Sequence, residues 1–406
     1  MTHERRAVLK FGGTSVATRD QRELAFARIR DARADGFATV AVVSAMGRAP
    51  SPYATDTLLQ AIDGRSGSAN ADMLLACGEL LSAAIFADEL TAAGVPARAL
   101  SGASAGIVTD AHYGDATILR VDAERIERML DEGIVPVVAG FQGATEDGAL
   151  TTLGRGGTDL SAIAIGNAIQ AERVDIYTDV SGAMTADPRR IERARTIERA
   201  SLEEMTELAE HGAKVMHHKA ADYAQRTQTP YTIKGLATDR GTLVVDGVDH
   251  HRPVTGVTSS GRLTWVRIIR GDIENPQQRM QTELEMFRRM ADAGISIDQV
   301  SINQAGVSFV VQGDSANAVR ALLGDLNLAV RVREGCSKIS VVGSGMRGTP
   351  GVVLQVVTAL SNADVEIIHC TDSNITISIL VPEADVQRAE AAVHEHFALN
   401  AEEART

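Results

Sequence analysis

The stretch Leu9-Lys10-Phe11-Gly12-Gly13-Thr14-Ser15-Val16 decides the fold, because it places a cation, two glycines and two hydroxyls between a predicted strand and a predicted helix. Apolar residues precede it, and apolar side chains at helical spacing follow it. Paired glycines let backbone N–H groups approach an anion, and the amino terminus of a helix adds its positive end. Lys10 therefore stands where a phosphate would lie. A tight strand-to-helix turn with a solvated lysine would have the same sequence pattern. Other motifs in the chain are therefore needed to support a phosphate site here.

A second glycine-rich turn, Gly154-Arg155-Gly156-Gly157, opens onto a predicted helix over 160–171. Arg155 suits bidentate capture of a carboxylate or a phosphate. Asp159 is placed to orient a cation or an ammonium group. A turn that Thr158 or Asp159 merely caps would have the same sequence. Two such turns in one chain nevertheless favour an anion-binding site.

Further polar residues follow predicted strands or interrupt a predicted helix. Ser44 and Asp179 each close an apolar run, and Thr55 lies in the polar loop after Ser44. Such strand ends are where open α/β sheets build binding sites, although turn chemistry explains these residues almost as well. Gly78 and Glu79 lie inside a predicted helix, where a glycine indicates close approach of another backbone or of a ligand.

Composition restricts the class of protein. The 406 residues are too many for one ordinary core, so two or three structural units are expected. A formal charge of −13 disfavours nucleic acid as a partner of the whole surface. The three cysteines are isolated and lack metal-ligand spacing, and no apolar run reaches membrane length. We therefore expect no metal site, no membrane partner and a location in the cytoplasm.

The order of elements predicts one large domain followed by a duplicated tail. Strands alternate with helices over residues 1–245, which is typical of a mostly parallel sheet covered by helices. A segment rich in glycine, histidine, serine and threonine, 246–262, is predicted to be a linker. Residues 263–334 and 335–406 then show the same series of strands and helices, which predicts two βαββαβ units. Small open sheets leave edges uncovered, so a homo-oligomer is expected.

Seven motifs occur in one order along the chain: KFGGTSV at 10–16, SAM at 44–46, CGE at 77–79, GFQG at 140–143, TLGRGG at 152–157, TDVSGAMTADPR at 178–189 and GAKV at 212–215. Together they resemble the aspartate kinases of the amino acid kinase family, and the duplicated tail resembles their paired ACT domains. The resemblance covers essentially the whole chain. It implies a three-layer αβα sandwich with a mostly parallel sheet over 1–245, followed by two ferredoxin-like ACT domains.

The resemblance also implies an activity and roles for individual residues. The activity is transfer of the γ-phosphoryl group of ATP, carried with Mg²⁺, to the β-carboxylate of L-aspartate, the first step toward lysine, threonine and methionine. Catalytic roles fall to Lys10, Asp159 and Lys214, and the phosphate would lie on Gly12, Gly13 and Thr14. Substrate would contact Ser44, Thr55, Glu79, Phe141, Arg155, Gly156 and Thr158. The nucleotide would contact Thr178, Asp179, Met184, Arg189 and Lys214.

Departures from the family pattern leave alternatives open. The chain has Leu160 where the family usually has a hydroxyl, and His217-His218-Lys219 where it usually reads His-Pro-Arg. A paralogue that phosphorylates another small carboxylate is one alternative. A catalytically silent amino-acid sensor is another, although such a sensor would have no need of so many site residues. Lysine, threonine, diaminopimelate or no effector at all remain open for the ACT domains.

Overall fold

The chain folds as two compact units. The first comprises residues 1–184 and 196–249, and the second comprises 185–195 and 250–406. The computed structural model describes residues 5–213, 215–248, 252–269, 276–324, 326 and 329–401.

The first unit alternates strands and helices, as the sequence predicts. Its strands are β1 (Arg6–Phe11), β2 (Ala38–Val43), β3 (Ala97–Leu100), β4 (Ile107–Thr109), β5 (Ile118–Val121), β6 (Val135–Ala139), β7 (Gln142–Ala144), β8 (Leu150–Thr152), β9 (Arg173–Thr178), β10 (Arg199–Ser201), β11 (Tyr231–Gly235) and β12 (Gly241–Val245). Its helices are α1 (Gly13–Val16), α2 (Arg19–Ala34), α3 (Thr55–Gln60), α4 (Ala69–Ala92), α5 (Glu124–Asp131), α6 (Gly157–Ala168), α7 (Leu202–Glu210) and α8 (His218–Thr227).

Eight described strands form the main sheet of this unit, in the order β10-β12-β11-β9-β1-β2-β6-β3. The pairs are parallel except for β11 with β12. The central strands are largely buried because helices cover both faces of a parallel sheet. A smaller sheet has the strand order β5-β4-β7-β8, and all four of its strands lie in the chain between β3 and α6. The parallel order brings the carboxyl ends of β9, β1, β2 and β6 to one edge, next to each other.

Aromatic rings fill the core on one face of the main sheet. Phe11 stacks on Tyr177 with ring centroids 5.2 Å apart, and Phe86 meets Phe26 edge to face at 4.9 Å. These four side chains are buried. Such ring pairs stabilise a core beyond the area they bury. The core therefore fixes β1, β9, α2 and α4 relative to one another, and β1 is the strand that leads into the glycine turn.

The second unit consists of one sheet and its helices. Its strands are β13 (Gly256–Ile269), β14 (Asp298–Asn303), β15 (Gly306–Gln312), β16 (Ala329–Val342), β17 (His369–Asp372) and β18 (Thr376–Pro382). Its helices are α9 (Pro276–Asp292), α10 (Ala316–Leu323), α11 (Val352–Asn362) and α12 (Val386–His396). The described strands lie in the order β14-β15-β13-β16-β18-β17. The first predicted βαββαβ series is present as β13-α9-β14-β15-α10-β16, whereas the second, over the described residues, runs from the end of β16 through α11, β17 and β18 to α12 and has no final strand.

Two long strands run through both halves of this sheet. Residues 263–269 of β13 pair with β15, and residues 256–260 pair with 338–342 of β16. Residues 329–333 of β16 in turn pair with the end of β13. Part of the segment predicted as a linker, 256–262, is thus strand, and the predicted border at 334/335 falls inside β16. The two halves of the sheet are thus joined at its centre, where β13 and β16 pair with each other along most of their length.

Candidate active site

Lys10 forms the centre of a cleft in the first unit. The lysine is the fifth residue of β1, only 7% of it is exposed, and its ammonium lies 2.6 Å from Asp159 Oδ1. A buried ammonium is unfavourable unless a carboxylate accompanies it. The structure therefore rules out the solvated lysine that the octapeptide alone leaves open.

The cleft around Lys10 has a volume of about 480 Å³. It is lined by most of the residues that the sequence selects: Lys10, Gly12, Gly13, Thr14, Ser44, Thr55, Glu79, Phe141, Arg155, Gly156, Thr158, Asp159, Thr178 and Asp179. These residues come from seven separated segments, and the parallel order of the strands brings them together. The position at the carboxyl ends of adjacent strands is where open α/β sheets place ligands.

Close backbone packing shapes the glycine turn after β1. The N–H of Gly12 donates to Tyr177 O at 3.2 Å, and the N–H of Gly47 donates to Gly13 O at 2.9 Å. A Cβ on Gly13 would lie 2.7 Å from Ala45 O, closer than real Cβ atoms come. Glycine is therefore required at position 13, because the loop after β2 lies directly against it.

The second glycine turn leads into α6 and leaves its amino terminus open. Gly156, with φ of 72°, is the N-cap residue of α6, and no described side chain bonds to the cap. Neither Thr158 nor Asp159 caps the helix, so the simpler interpretation of this turn does not hold. Uncapped N–H groups at a helix start suit an anion. Arg155 is exposed at this turn and lines the cleft.

Phe141 supports the same turn through an unusual backbone conformation. Its φ of 66° lies in the left-handed region, where a bulky residue is strained. The hydroxyl of Ser161 accepts from the N–H of Phe141 at 3.1 Å and donates to Gly157 O at 2.8 Å. Ser161 thus ties the residue after β6 to the first turn of α6. Strain held in place by such bonds is a feature of ligand sites.

Glu79 is the most strongly perturbed carboxyl group of the cleft. It is only 2% exposed, and Oε1 accepts from the N–H of Ala45 at 3.2 Å and from the hydroxyl of Thr55 at 3.3 Å. Oε2 is buried without a hydrogen-bond partner among the described residues. Burial raises the pKa of Glu79 to about 8, and the two hydrogen bonds offset part of that effect. One carboxyl oxygen is thus available to a ligand.

Gly78 explains how the loop from Ala45 to Thr55 reaches Glu79. A Cβ at position 78 would lie 2.7 Å from Tyr53 O and 3.0 Å from the Cβ of Ala45. The glycine inside α4 therefore allows another backbone to approach, which is one of the two roles that the sequence indicates.

Three of the selected residues are not among the described residues that line the cleft. Met184 pairs with Thr196 in a single β-bridge of the first unit. Arg189 belongs to the second unit and forms an ion pair with Asp187 at 2.6 Å. Lys214 lies outside the described residues. Their roles toward a nucleotide stay predictions.

The structure also places residues in or beside the cleft that the sequence did not select. Arg48 lines it and donates to Asp179 Oδ2 at 2.9 Å. Asp72, fully buried in α4, accepts from the N–H groups of Gly114 at 3.0 Å and Thr152 at 2.7 Å. An arginine in a polar loop and an acid inside a helix carry no local signal of such roles, since their partners are distant in sequence.

Comparison with known protein families adds independent evidence. The model of the amino acid kinase family matches residues 5–235, and an ACT domain model matches 331–395. Aspartokinase 1 of Bacillus subtilis is 40% identical over 97% of this chain and 99% of its own length. The chain belongs to the aspartokinases of the amino acid kinase family.

Other relatives agree with this assignment. The aspartokinase of Geobacillus stearothermophilus is 37% identical, with 98% of each chain covered. Among solved structures, aspartokinase III of Escherichia coli has a TM-score of 0.76 at 24% identity and covers 97% of this chain and 99% of its own. That likeness supports the fold, including the ACT region. Membership makes this protein a kinase with an ACT regulatory region, and a silent sensor or another kind of kinase is not favoured.

In the described part of the chain, no helix is both long and apolar enough to cross a lipid bilayer.

Proposed function

We propose that this aspartokinase transfers the γ-phosphoryl group of ATP, bound with Mg²⁺, to the β-carboxylate of L-aspartate. The observation that carries the proposal is the Lys10–Asp159 ion pair at 2.6 Å, placed between two glycine turns in one cleft. In this proposal an oxygen of the β-carboxylate attacks the γ-phosphorus, the bond to the β-phosphate oxygen breaks, and ADP leaves. The product is an acyl phosphate.

The chemistry needs charge stabilisation and positioning rather than a general base. An aspartate β-carboxylate has a pKa of about 3.9, so it is already ionised near neutral pH. Lys10 and the N–H group of Gly13 offset the charge of the phosphoryl group during transfer, with Gly12 beside them, while Asp159 holds the ammonium of Lys10 in place. Such preorganised donors supply most of the rate enhancement in phosphoryl transfer.

Substrate aspartate fits the other half of the cleft. Arg155 offers a planar pair of donors to the α-carboxylate, and Oε2 of Glu79, which has no partner among the described residues, would accept from the amino group. Four further residues line this side: Ser44, Thr55, Phe141 and Thr158, with Gly156 at the turn. On the nucleotide side we place Thr14, Thr178, Asp179, Met184, Arg189 and Lys214.

We also propose that an amino acid regulates the enzyme and that the chain forms a homo-oligomer. The ACT region supports an amino-acid effector, with lysine, threonine and diaminopimelate as candidates. Contact between ACT regions of two copies would make a homo-oligomer, since hydrophobic side chains such as Leu354 (68% exposed) and Ile302 (56% exposed) lie on this unit. The cytoplasm is the proposed compartment, in keeping with the free cysteines 77, 336 and 370.

A substrate panel tests the activity. ADP release from Mg-ATP is measured with L-aspartate, L-glutamate, L-asparagine and no acceptor. We expect turnover with aspartate well above the others, because asparagine lacks the accepting carboxylate and glutamate carries it one methylene further from the groups proposed to bind the α-carboxylate and the amino group. Turnover with a different carboxylate, and not with aspartate, would contradict the proposed substrate while leaving the kinase family intact.

A further inference from the structure

The loop after β2 carries a cation that the motifs of the chain do not include. Among the described residues that line the cleft, the cations are Lys10, Arg48 and Arg155. Lys10 is buried against Asp159, and Arg155 is placed on the side of Glu79 and the acceptor. The triphosphate of ATP carries several negative charges, which a single buried lysine offsets only in part.

Backbone hydrogen bonds place Arg48 beside the glycine turn. The residue before it, Gly47, donates from its N–H to Gly13 O at 2.9 Å. On the other side of the turn, the N–H of Gly12 donates to Tyr177 O, two residues before Asp179. The guanidinium of Arg48 donates to Asp179 at 2.9 Å. The ion pair therefore joins the two segments that flank the glycine turn.

The guanidinium keeps most of its capacity to bind a ligand. The Arg48 side chain is 70% exposed, and its bond to Asp179 uses one of the five N–H donors that a guanidinium carries. An exposed ion pair of this kind is worth at most about 1 kcal/mol, so a phosphate displaces it easily. Asp179 alone would repel a polyphosphate, which gives the arginine beside it an electrostatic role even before ATP binds.

We propose that Arg48 is a nucleotide-binding residue of this enzyme, which Asp179 holds at the cleft in the absence of ATP and which then binds the β- and γ-phosphates. This inference rests on the proposed function of the cleft. It assigns to the loop after β2 a part in ATP binding in addition to its contacts with Glu79.

Direct binding of ATP, ADP and AMP to the full chain tests the inference by calorimetry. In Arg48→Ala we expect affinity for ATP to fall by about tenfold or more, affinity for ADP to fall less, and affinity for AMP to stay unchanged. Arg48→Lys keeps the charge and should recover part of the ATP affinity. Arg30→Ala, which removes an exposed arginine of α2, is the matched control and should bind all three nucleotides as the parent chain does.

The outcomes distinguish a failure of the proposed function from a failure of the proposed role of Arg48. If the parent chain binds no ATP, the proposed function itself fails. If the parent chain binds ATP and Arg48→Ala binds it equally well, only the role of Arg48 is overturned. Equal loss of ATP and AMP affinity would also overturn it, because a merely structural role would not distinguish the nucleotides. Steady-state kinetics should agree, with KM for ATP raised and KM for aspartate unchanged.

Discussion

Lys10 and Asp159 illustrate how single residues depend on each other in this cleft. Each side chain is largely withdrawn from water, at 9% and 15% exposure, and their charges lie 2.6 Å apart. Removing either partner would leave an uncompensated charge, which is far more costly than removing both. The sequence indicates a cation and an acid near separate turns, 149 positions apart, and the fold brings the two side chains into contact.

Glu79 gives rise to a prediction about pH. Burial raises the pKa of its carboxyl group to about 8, so the group is mostly protonated near neutral pH and ionises as the pH rises. An ammonium group of the substrate prefers the ionised form. We therefore expect KM for aspartate to fall between about pH 6.5 and pH 9.

Glu79→Gln is the control for that prediction, because glutamine has the same shape and no charge to gain. Its KM for aspartate should be high at every pH, with the fall absent. Ionisation of aspartate or ATP would affect both proteins alike and so cancels in the comparison. Initial rates over a series of aspartate concentrations measure KM. A pH dependence shared by both proteins would contradict the assignment of Glu79.

Individual site residues were predictable from sequence where a local motif carries them. Lys10 and Arg155 lie in glycine turns whose chemistry is readable without a structure. Arg48 and Asp72 were not, because their partners Asp179 and Thr152 are 131 and 80 positions away. No local periodicity or turn signal encodes such distant pairs.

At the level of elements, a short segment leaves the first unit and belongs to the second. Residues 185–195 separate β9 from β10, yet they pack with α12. The hydroxyl of Thr185 bonds to His394 Nε2 at 2.9 Å and accepts from the N–H of Arg195 at 3.0 Å. Arg190 lies 3.4 Å from the buried carboxyl group of Glu390. A sequence motif that is continuous from 178 to 189 gives no sign of this division, because tertiary contacts alone create it.

Thr185→Val tests the importance of that packing. The change keeps the side-chain shape, but it removes the hydroxyl that bonds to buried His394 and accepts from the N–H of Arg195. Unmet buried groups cost about 1–3 kcal/mol, so we expect the free energy of unfolding to fall by that amount in urea denaturation. Thr358→Val on α11 is the matched control, since among the described residues its hydroxyl bonds to Leu354 O of its own helix. Equal losses in the two variants would contradict the assigned role.

The whole molecule combines a predictable order of elements with pairings that the sequence could not reveal. Alternating apolar runs and glycine turns are sufficient to predict the parallel sheet of the first unit. They do not show that β12 pairs antiparallel to β11, or that β13 and β16 run through both halves of the second sheet. Register between distant strands depends on packing of the completed sheet, and a long strand can pair with two partners at once.

Shared strands suggest how an effector could act on the whole chain. β13 and β16 belong to both halves of the ACT region. A ligand that moves these strands in one half would therefore also move them in the other. An effector changes activity only by its differential affinity for two states, and the coupling is reciprocal. We expect one of lysine, threonine or diaminopimelate to release or absorb heat on binding the full chain and to raise KM for aspartate.

The effect of aspartate on binding of the effector tests this regulatory prediction. Saturating aspartate should weaken binding of the effector by the same factor by which the effector weakens binding of aspartate. Calorimetric titration with and without aspartate measures both sides. Absence of binding by all three amino acids would contradict regulation by these effectors.

The central claim is that one cleft in the first unit binds aspartate and ATP and that Lys10 and Arg155 serve the transfer. The most direct test measures ADP release and trapping of the acyl phosphate by hydroxylamine, in the parent chain and in Lys10→Ala and Arg155→Ala. We expect equal amounts of ADP and aspartate hydroxamate in the parent chain. Lys10→Ala should lower kcat at least about tenfold, or ~1.4 kcal/mol of transition-state stabilisation, and Arg155→Ala should chiefly raise KM for aspartate. Unchanged kinetics in both folded variants would contradict the claim.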